Sequence, residues 1–290
     1  MNKTDLHVAG KTCLITGANS GIGKVTARAI AEMGARVTIV CRNRERGEPA
    51  LEEIRRESGN HSVELMICDF SSQSQIRRLA EEFKSKHDRL DILVNNAGLM
   101  MNKRALTEDG LETTFAVNHL GYFLLTNLLL DLIKRSAPAR IVNVASLAHR
   151  GGHINFDDLQ SEREFRTMPV YRQSKLANIL FTYELARRLE GTAVTVNCLH
   201  PGIIGTDIAR RFPWIIRAAL KLFFTGVEKG AETSIYLATS PEVKNTTGKY
   251  FDNKAETQTS RESYDEETAR KLWEVSEQLT GLKKEQAKGL

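Results

Sequence analysis

Short β-rich runs alternating with longer amphipathic ones constrain this chain more than any other feature. TCLIT is followed by GIGKVTARAIAEMG, RVTIVC by RERGEPALEEIRRES, VELMIC by SSQSQIRRLAEEFKSK, and DILVN by a longer helical region. The pattern resumes with RIVNVA, then VYRQSKLANILFTYELARRL, then AVTVNCL, and later GVEKGAETSIYLAT. Strands separated by helices of this length join in parallel through right-handed crossovers. The order therefore predicts a doubly wound parallel α/β sheet with helices on both faces. The first six strand runs are nearly continuous in apolar residues, as expected of strands covered on both sides. In such sheets ligands bind beyond the carboxyl ends of the strands, so chemistry is sought in the residues just after each run.

No Pro/Gly/Ser-rich linker or internal repeat divides the 290 residues, and a 41% hydrophobic content suits one sizeable core. A single domain over 1–290 is expected: 10–100 mainly nucleotide-binding, 101–282 catalytic and substrate-binding, 283–290 a frayed tail. The net charge of +5 is mild, and bases interleave with acids as in RNRERGEPALEEIRRE, which argues against a nucleic-acid partner. Cys13, Cys41, Cys68 and Cys198 sit singly in β-like runs, without metal-ligand spacing. They predict buried, reduced thiols and an intracellular location, cytoplasmic or peripherally membrane-associated. MNKTDLHVAGKT lacks an apolar signal region, and no stretch reaches the ~20 apolar residues of a membrane span, so neither is expected.

After the first strand, TGANSGIG (Thr16 to Gly23) opens directly into a helix. Gly17 permits a tight turn, Gly21 lets backbone approach a pyrophosphate, and Gly23 allows close helix packing. Asn19, Ser20 and Ile22 complete the loop, whose amides and helix dipole favour an anion. The flanking strand and helix make this a dinucleotide site rather than a merely structural turn. The second strand ends in IVCRNRERG, with Arg42 and no acid before Glu45. A carboxylate there would accept hydrogen bonds from the NAD ribose, whereas arginine pairs with a 2′-phosphate. NADP(H) is therefore preferred to NAD(H), against the competing reading of a solvated arginine. After the third strand, Asp69 is placed to accept from the adenine amino group or to cap the next helix, a job Ser71 could also do. After the fourth, Asn95, Ala97 and Gly98 of NNAG offer amides and small residues beside a nucleotide, or a plain strand-ending turn.

In VYRQSK, Tyr171 and Lys175 lie four apart in a helical run and share a face. A nearby cation moves an acid by about 1 to 3 units towards ionisation, so Lys175 is expected to draw the phenol down from ~10. Tyr171 then serves as general acid in reduction and base in oxidation. Ser146, directly after RIVNVA, is placed to hydrogen-bond a substrate oxygen. Singly, Tyr171 reads as packing, Ser146 as a strand-end cap and Asn118 as a helical polar residue. Their combination with the nucleotide loop carries the argument. His119, His149 and His200 lack zinc spacing, and Ser146 lacks the GxSxG elbow of a hydrolase.

TGANSGIG, NNAG, Asn118 in FAVNHLG, Ser146 in NVASLAH, YRQSK and the PG of LHPG occur in the order of the short-chain dehydrogenase/reductase family. The chain resembles that family over nearly its full length. CRNRERG, SLAHRGGHINFDDL, SKLANILFTYELARRL and VTVNCLHPG resemble its retinol dehydrogenase-like branch. The resemblance implies a single Rossmann-type sheet, NADP(H), and hydride transfer to or from a lipophilic alcohol/carbonyl pair. It further implies that Asn118 helps hold a water linking the lysine to solvent, and that Tyr171 and Lys175 border the cofactor, with Lys175 on the nicotinamide ribose. Pro201, Gly202 and Thr206 complete the cofactor contacts, and homo-oligomers built on the long helices are a family habit. Two rivals are a non-catalytic NADPH-binding sensor or scaffold, and an NAD-dependent alcohol dehydrogenase of the same fold.

On the substrate side, the stretch from Leu147 to Val170 is expected to form one cleft wall. Residues 210–224, apolar and basic, have three readings: a substrate lid, a peripheral membrane contact, and a subunit contact or core helix. All favour an apolar substrate. SYDEETARKLWEVSEQL predicts a docking helix opened by a capping box of Ser263 and Glu266, with Ala269, Leu272, Trp273 and Ser276 on one face.

Overall fold

The structure is a computed structural model and describes residues 8–202 and 226–282. Thr206, the segment 210–224, the tail 283–290 and most of the N-terminal stretch fall outside the described residues.

The first half of the chain forms β1 (Thr12–Thr16), α1 (Gly21–Glu32), β2 (Arg36–Cys41), α2 (Arg44–Ser58), β3 (Val63–Ile67), α3 (Gln73–Lys86) and β4 (Ile92–Asn95). A continuous helical run follows, made of α4 (Thr113–Phe115), a π-helical turn (Ala116–Leu120) and α5 (Gly121–Arg135). Then come β5 (Ala139–Val144), α6 (Thr167–Arg188), β6 (Val194–His200), α7 (Val227–Thr239), β7 (Tyr250–Asp252), β8 (Ala255–Glu256) and α8 (Glu266–Thr280). The strands make one sheet in the order β3-β2-β1-β4-β5-β6-β7-β8, parallel except for the antiparallel β7–β8 pair. The order reverses at β1, whose neighbours are β2 and β4, so a crevice opens beyond the carboxyl ends of β1 and β4. This is the doubly wound α/β sheet that the alternation predicts. The final hairpin of β7 and β8 has too few residues to show a period and is not legible in the sequence.

The apolar strand runs have a two-sided explanation. Along β1, Leu14 faces a cluster with Phe83, Leu124 and Phe181, whereas Cys13 and Ile15 face another with Ile30, Ile39 and Leu237. These three central β1 side chains are fully buried, so an apolar residue suits each of the three positions. The four cysteines are free and buried, and burial pushes the Cys68 and Cys198 thiols up to about 12.

The layer containing α5, α6 and α8 is keyed by aromatic rings. Phe123 lies 4.9 Å from Trp273 and 5.5 Å from Phe181, measured between centroids. His119 joins the group with its Nε2 2.8 Å from the Ser276 hydroxyl, and burial takes its pKa down to about 3, Asn178 opposing in part. It is a neutral core histidine tying the π-turn to α8. Ala269, Leu272, Trp273 and Ser276 all turn inward, as expected. The expected capping box does not form. Ser263 is buried in a tight turn and donates to Ser260 O, and Asp265 caps the helix through the amides of Glu267 and Thr268.

Contrary to the sequence reading, the described residues include one helical run, Thr113–Arg135, of 23 residues that is long and apolar enough to span a membrane. Of its apolar window, 78% is buried inside the protein, and packing against the sheet and α8 accounts for that composition.

Asp91, only 2% exposed, pins β4 to β1: its carboxylate accepts from Thr12 N at 2.9 Å, Lys11 Nζ at 3.0 Å and Arg89 Nε at 2.8 Å. Burial alone would raise its pKa, but Arg89, the Thr12 amide and Lys11 hold it below the ordinary carboxylate value. A depressed folded-state pKa means stabilisation present above the unfolded value of ~3.9 and lost as pH falls through the folded one. Asp91→Asn is therefore expected to cost about 1–3 kcal/mol at pH 7 and less at acid pH, read from urea midpoints at pH 7 and pH 3. An equal cost at both values would sink the assignment.

Candidate active site

Among the described residues, the candidate groups lie at or after a strand end, or in the helical run that follows that strand. Gly17 and Gly21 take left-handed backbone conformations, with φ of +67° and +57°. At Gly17 a Cβ would sit 2.8 Å from Ala97 Cα, and at Gly23 only 2.5 Å from Gly17 O, so α1 is pressed onto the loop and the loop onto the NNAG turn. Thr16 Oγ accepts from the amides of Asn96 and Ala97 at 2.9 and 3.0 Å, and Asn96 Nδ2 returns a bond to Thr16 O at 2.8 Å.

The sequence reading names Asn95, Ala97 and Gly98 here, and Asn96 adds a contact to the glycine loop that it does not name. Asn95 is fully buried and donates to Thr126 Oγ1 and Asn143 Oδ1 at 3.0 and 2.8 Å. Successive residues leaving a strand point to opposite sides, and it is Asn96 that reaches the glycine loop. Ala97 is half-buried and Gly98 exposed. A Cβ on Gly98 would lie 3.3 Å from Asn118 Oδ1 and 3.7 Å from Lys175 Nζ, so this backbone overlies the catalytic cluster.

Ser20 is exposed at the N-cap position of α1 but makes no side-chain cap, while Asn19 and Ile22 are half-buried beside it. By contrast, Asn43 caps α2 and Ser72 caps α3. An uncapped helix start reached through glycines leaves amides for a phosphate, which is how a dinucleotide fits this end. Arg42 is 68% exposed with Nε 4.0 Å from Asp69 Oδ2. Asp69 accepts from the amide and hydroxyl of Ser71 at 2.9 and 2.7 Å, so neither of these residues caps α3.

At the other end of the crevice, Ser146 follows β5 and its Oγ accepts from Ala148 N at 3.1 Å. Tyr171, in the second turn of α6, hydrogen-bonds Ser146 through its hydroxyl. Lys175 Nζ stands 5.8 Å from the Tyr171 ring centroid and donates to Val144 O at 3.1 Å. Asn118 sits in the π-turn, where Nδ2 donates to Leu99 O and Ser174 Oγ at 2.8 and 3.0 Å and Oδ1 accepts from Leu99 N at 2.8 Å. Ser174 passes the contact on, donating to Tyr171 O at 2.8 Å. The structure thus brings Asn118, Ser146, Tyr171 and Lys175 together, with Ser174 as a link that sequence reasoning missed. Its signal was present in YRQSK, three residues after the tyrosine. Pro201 and Gly202 leave β6 half-buried on the same side, Gly202 with φ of +83°.

The electrostatics differ from the sequence expectation. Burial raises the Tyr171 phenol above its ordinary value, only partly offset by the Ser146 bond, and burial lowers Lys175 to about 8. Two groups that lose water together each shift towards their neutral forms, and the ammonium spends its contact on a carbonyl rather than on the phenol. A separate cleft of about 570 Å³, lined by Tyr183, Leu189, Thr192 and Lys244, opens at the amino end of β6, away from these groups.

A doubly wound sheet carrying a glycine-lined helix start beside a serine, a phenol and an ammonium marks the class of nicotinamide-dependent oxidoreductases. The family model described as short chain dehydrogenase matches residues 11–213, and the chain belongs to that family. It is 48% identical to retinol dehydrogenase 14 of Homo sapiens, with 95% of this chain and 88% of that protein covered. It is 46% identical to retinol dehydrogenase 13 of the same organism, covering 95% and 86%. Among solved structures, an uncharacterized protein from Mycobacterium paratuberculosis matches with a TM-score of 0.78 at 35% identity over 97% of each chain. The RhlG/NADP active-site complex of Pseudomonas aeruginosa matches with a TM-score of 0.70 at 28% identity, covering 87% of this chain and 97% of that one.

Proposed function

We propose that this short-chain dehydrogenase works as one domain and transfers hydride between NADP(H) and a lipophilic alcohol/carbonyl pair, retinol/retinal-like or another aldehyde or ketone. The observation that carries the reading is the contact of Tyr171 with Ser146 beside a buried Lys175. The nicotinamide, when bound, supplies or accepts the hydride. The chain's own groups handle the substrate oxygen and its proton. Ser146 Oγ, already fixed by the Ala148 amide, can donate to that oxygen. The Tyr171 phenol, raised by burial, is fully protonated at neutral pH, which suits a proton donor to a nascent alkoxide. Lys175, near 8, is mostly cationic at pH 7 and keeps N–H groups beyond its bond to Val144 O for a ribose. Asn118 locks the post-β4 backbone to α6 through Leu99 and Ser174.

Two exposed apolar side chains support the substrate class. Leu147, 36% exposed, directly follows Ser146, and Met168, 43% exposed, precedes Tyr171 by three residues on α6, giving the reacting oxygen an apolar lip. The names of the retinol dehydrogenase relatives support the same class, and the RhlG complex supports NADP. Initial rates with NADPH and NADH over retinal, alkanals, aromatic ketones and steroids test the proposal. Failure to turn over any of them while NADPH still binds would favour the sensor reading.

Cofactor choice rests on Arg42. Arg42→Asp replaces a phosphate partner with a repelling carboxylate, and a hydrogen bond to a charged group contributes about 1.5–3 kcal/mol. The expected outcome is a roughly ten- to hundred-fold rise in KM for NADPH with NADH little changed. Equal effects on both cofactors would return Arg42 to the status of a solvated surface residue.

A further inference from the structure

We propose that His149 and His200 clamp the two ends of one peptide unit, the Ser146–Leu147 bond, and act as positioning residues for Ser146. The Ser146 carbonyl accepts from His149 Nδ1 at 2.7 Å, and the Leu147 amide donates to His200 Nδ1 at 3.2 Å. A carbonyl oxygen can only accept, so His149 carries its proton on Nδ1 and leaves Nε2 bare. That bare nitrogen accepts from Ser260 N at 3.2 Å, which exhausts the ring's hydrogen bonding and anchors it to the stretch before α8. An amide can only donate, so His200 is bare at Nδ1 and protonated at Nε2.

Neither ring is a surface accident. His149 is 0% exposed, wedged edge-on against Tyr250 with centroids 5.1 Å apart, and His200 is 7% exposed at the last position of β6. Burial favours the neutral form of both, with Arg150 and Glu262 the charged groups around His149 and Asp252 the one beside His200. The Ser146 carbonyl also accepts from the His149 amide of the next turn at 3.2 Å, and the two rigid side chains add to that turn by fixing the plane of the peptide. The plane of this peptide sets where Ser146 Cβ points, and so where Oγ meets Tyr171 and the substrate oxygen. A misplacement near 1 Å at a reacting centre costs on the order of 10²-fold in rate.

The clamp rests on the proposed role of Ser146, and the test separates the two. In the full-length protein, His149→Leu and His200→Leu are each expected to lower kcat roughly ten- to hundred-fold, with the dissociation constant for NADPH within about three-fold of wild type. His149→Asn and His200→Asn, whose amides reach the Nδ1 position, are expected to recover about ten-fold of that loss. His149→Gln reaches only the Nε2 position and is expected to stay as slow as His149→Leu. Folded leucine variants with unchanged kcat would overturn the clamp, as would folded asparagine variants that recover nothing. Should the leucine variants fail to fold, the Asn-against-Gln contrast at His149 decides, and equal kcat in the two overturns the proposal. If the wild type turns over nothing, the reaction reading fails on its own and the clamp is read by ¹⁵N histidine spectra. These are expected to show His149 protonated at Nδ1 and His200 at Nε2, and the opposite tautomer at either position overturns it.

Discussion

Tyr171→Phe is expected to lower kcat by ~10² to 10⁴ while NADPH binding and the fold survive. The substitution removes one oxygen from a half-buried side chain whose hydroxyl bonds to Ser146. Loss of one such bond costs about 0.5–1.5 kcal/mol of stability. The rest of α6 stays anchored by Leu176, Ile179, Leu180 and Phe181, all buried. The rate loss is large because the phenol is the group placed to exchange a proton with the substrate oxygen. Single-turnover rates, a thermal melt and NADPH fluorescence on the same preparation check this. Unchanged turnover would sink the mechanism, and a collapsed melt would make the residue structural. Oxidation by the wild type should also rise with pH, since the base form of a raised phenol becomes populated only as the solution turns alkaline.

Phe123→Ala is expected to cost about 3–5 kcal/mol of stability. The ring has no solvent exposure, and it touches α6 through Phe181, α8 through Trp273 and the π-turn through His119 at 6.2 Å. No single neighbour can collapse into the space, because each belongs to a different element held by its own contacts. His119 is held by Ser276, and Trp273 by Glu277 and by Arg188 stacked 4.1 Å over its ring. The thermal midpoint should fall by roughly 5 to 8 °C. A loss under about 1 kcal/mol in denaturant titration would show that α8 does not depend on this ring.

Much of the fold and the candidate site is legible in the sequence because both are encoded at short range. Strand and helix runs carry their own periods, the glycine loop is contiguous, and the four-residue spacing of Tyr171 and Lys175 fixes a shared face. What escapes the sequence depends on partners far along the chain. Seeing that Asn96 faces the glycine loop while the Asn95 side chain turns into the core needs the side of the sheet on which β1 ends, and nothing within NNAG states it. Choosing Asp265 over Ser263 as the α8 cap needs the turn that buries Ser263 against Thr259. The direction of the Tyr171 shift needs the depth of burial, which four residues cannot reveal. The histidines of SLAH and LHPG look inert as motifs because their partners are backbone groups, and they acquire meaning only when β5 and β6 lie side by side.

The strand order carries a consequence for how such a protein can change. Arg42 leaves β2, while Leu147 and Met168 flank the exits of β5 and the start of α6, and β1 and β4 stand between. Three strand spacings amount to about 14 Å, well past the distance at which substitutions couple. On the function proposed above, coenzyme selectivity at Arg42 and substrate selectivity at Leu147 and Met168 are expected to be nearly additive traits of this molecule. Each can then be altered by mutation, in the laboratory or by descent, largely apart from the other.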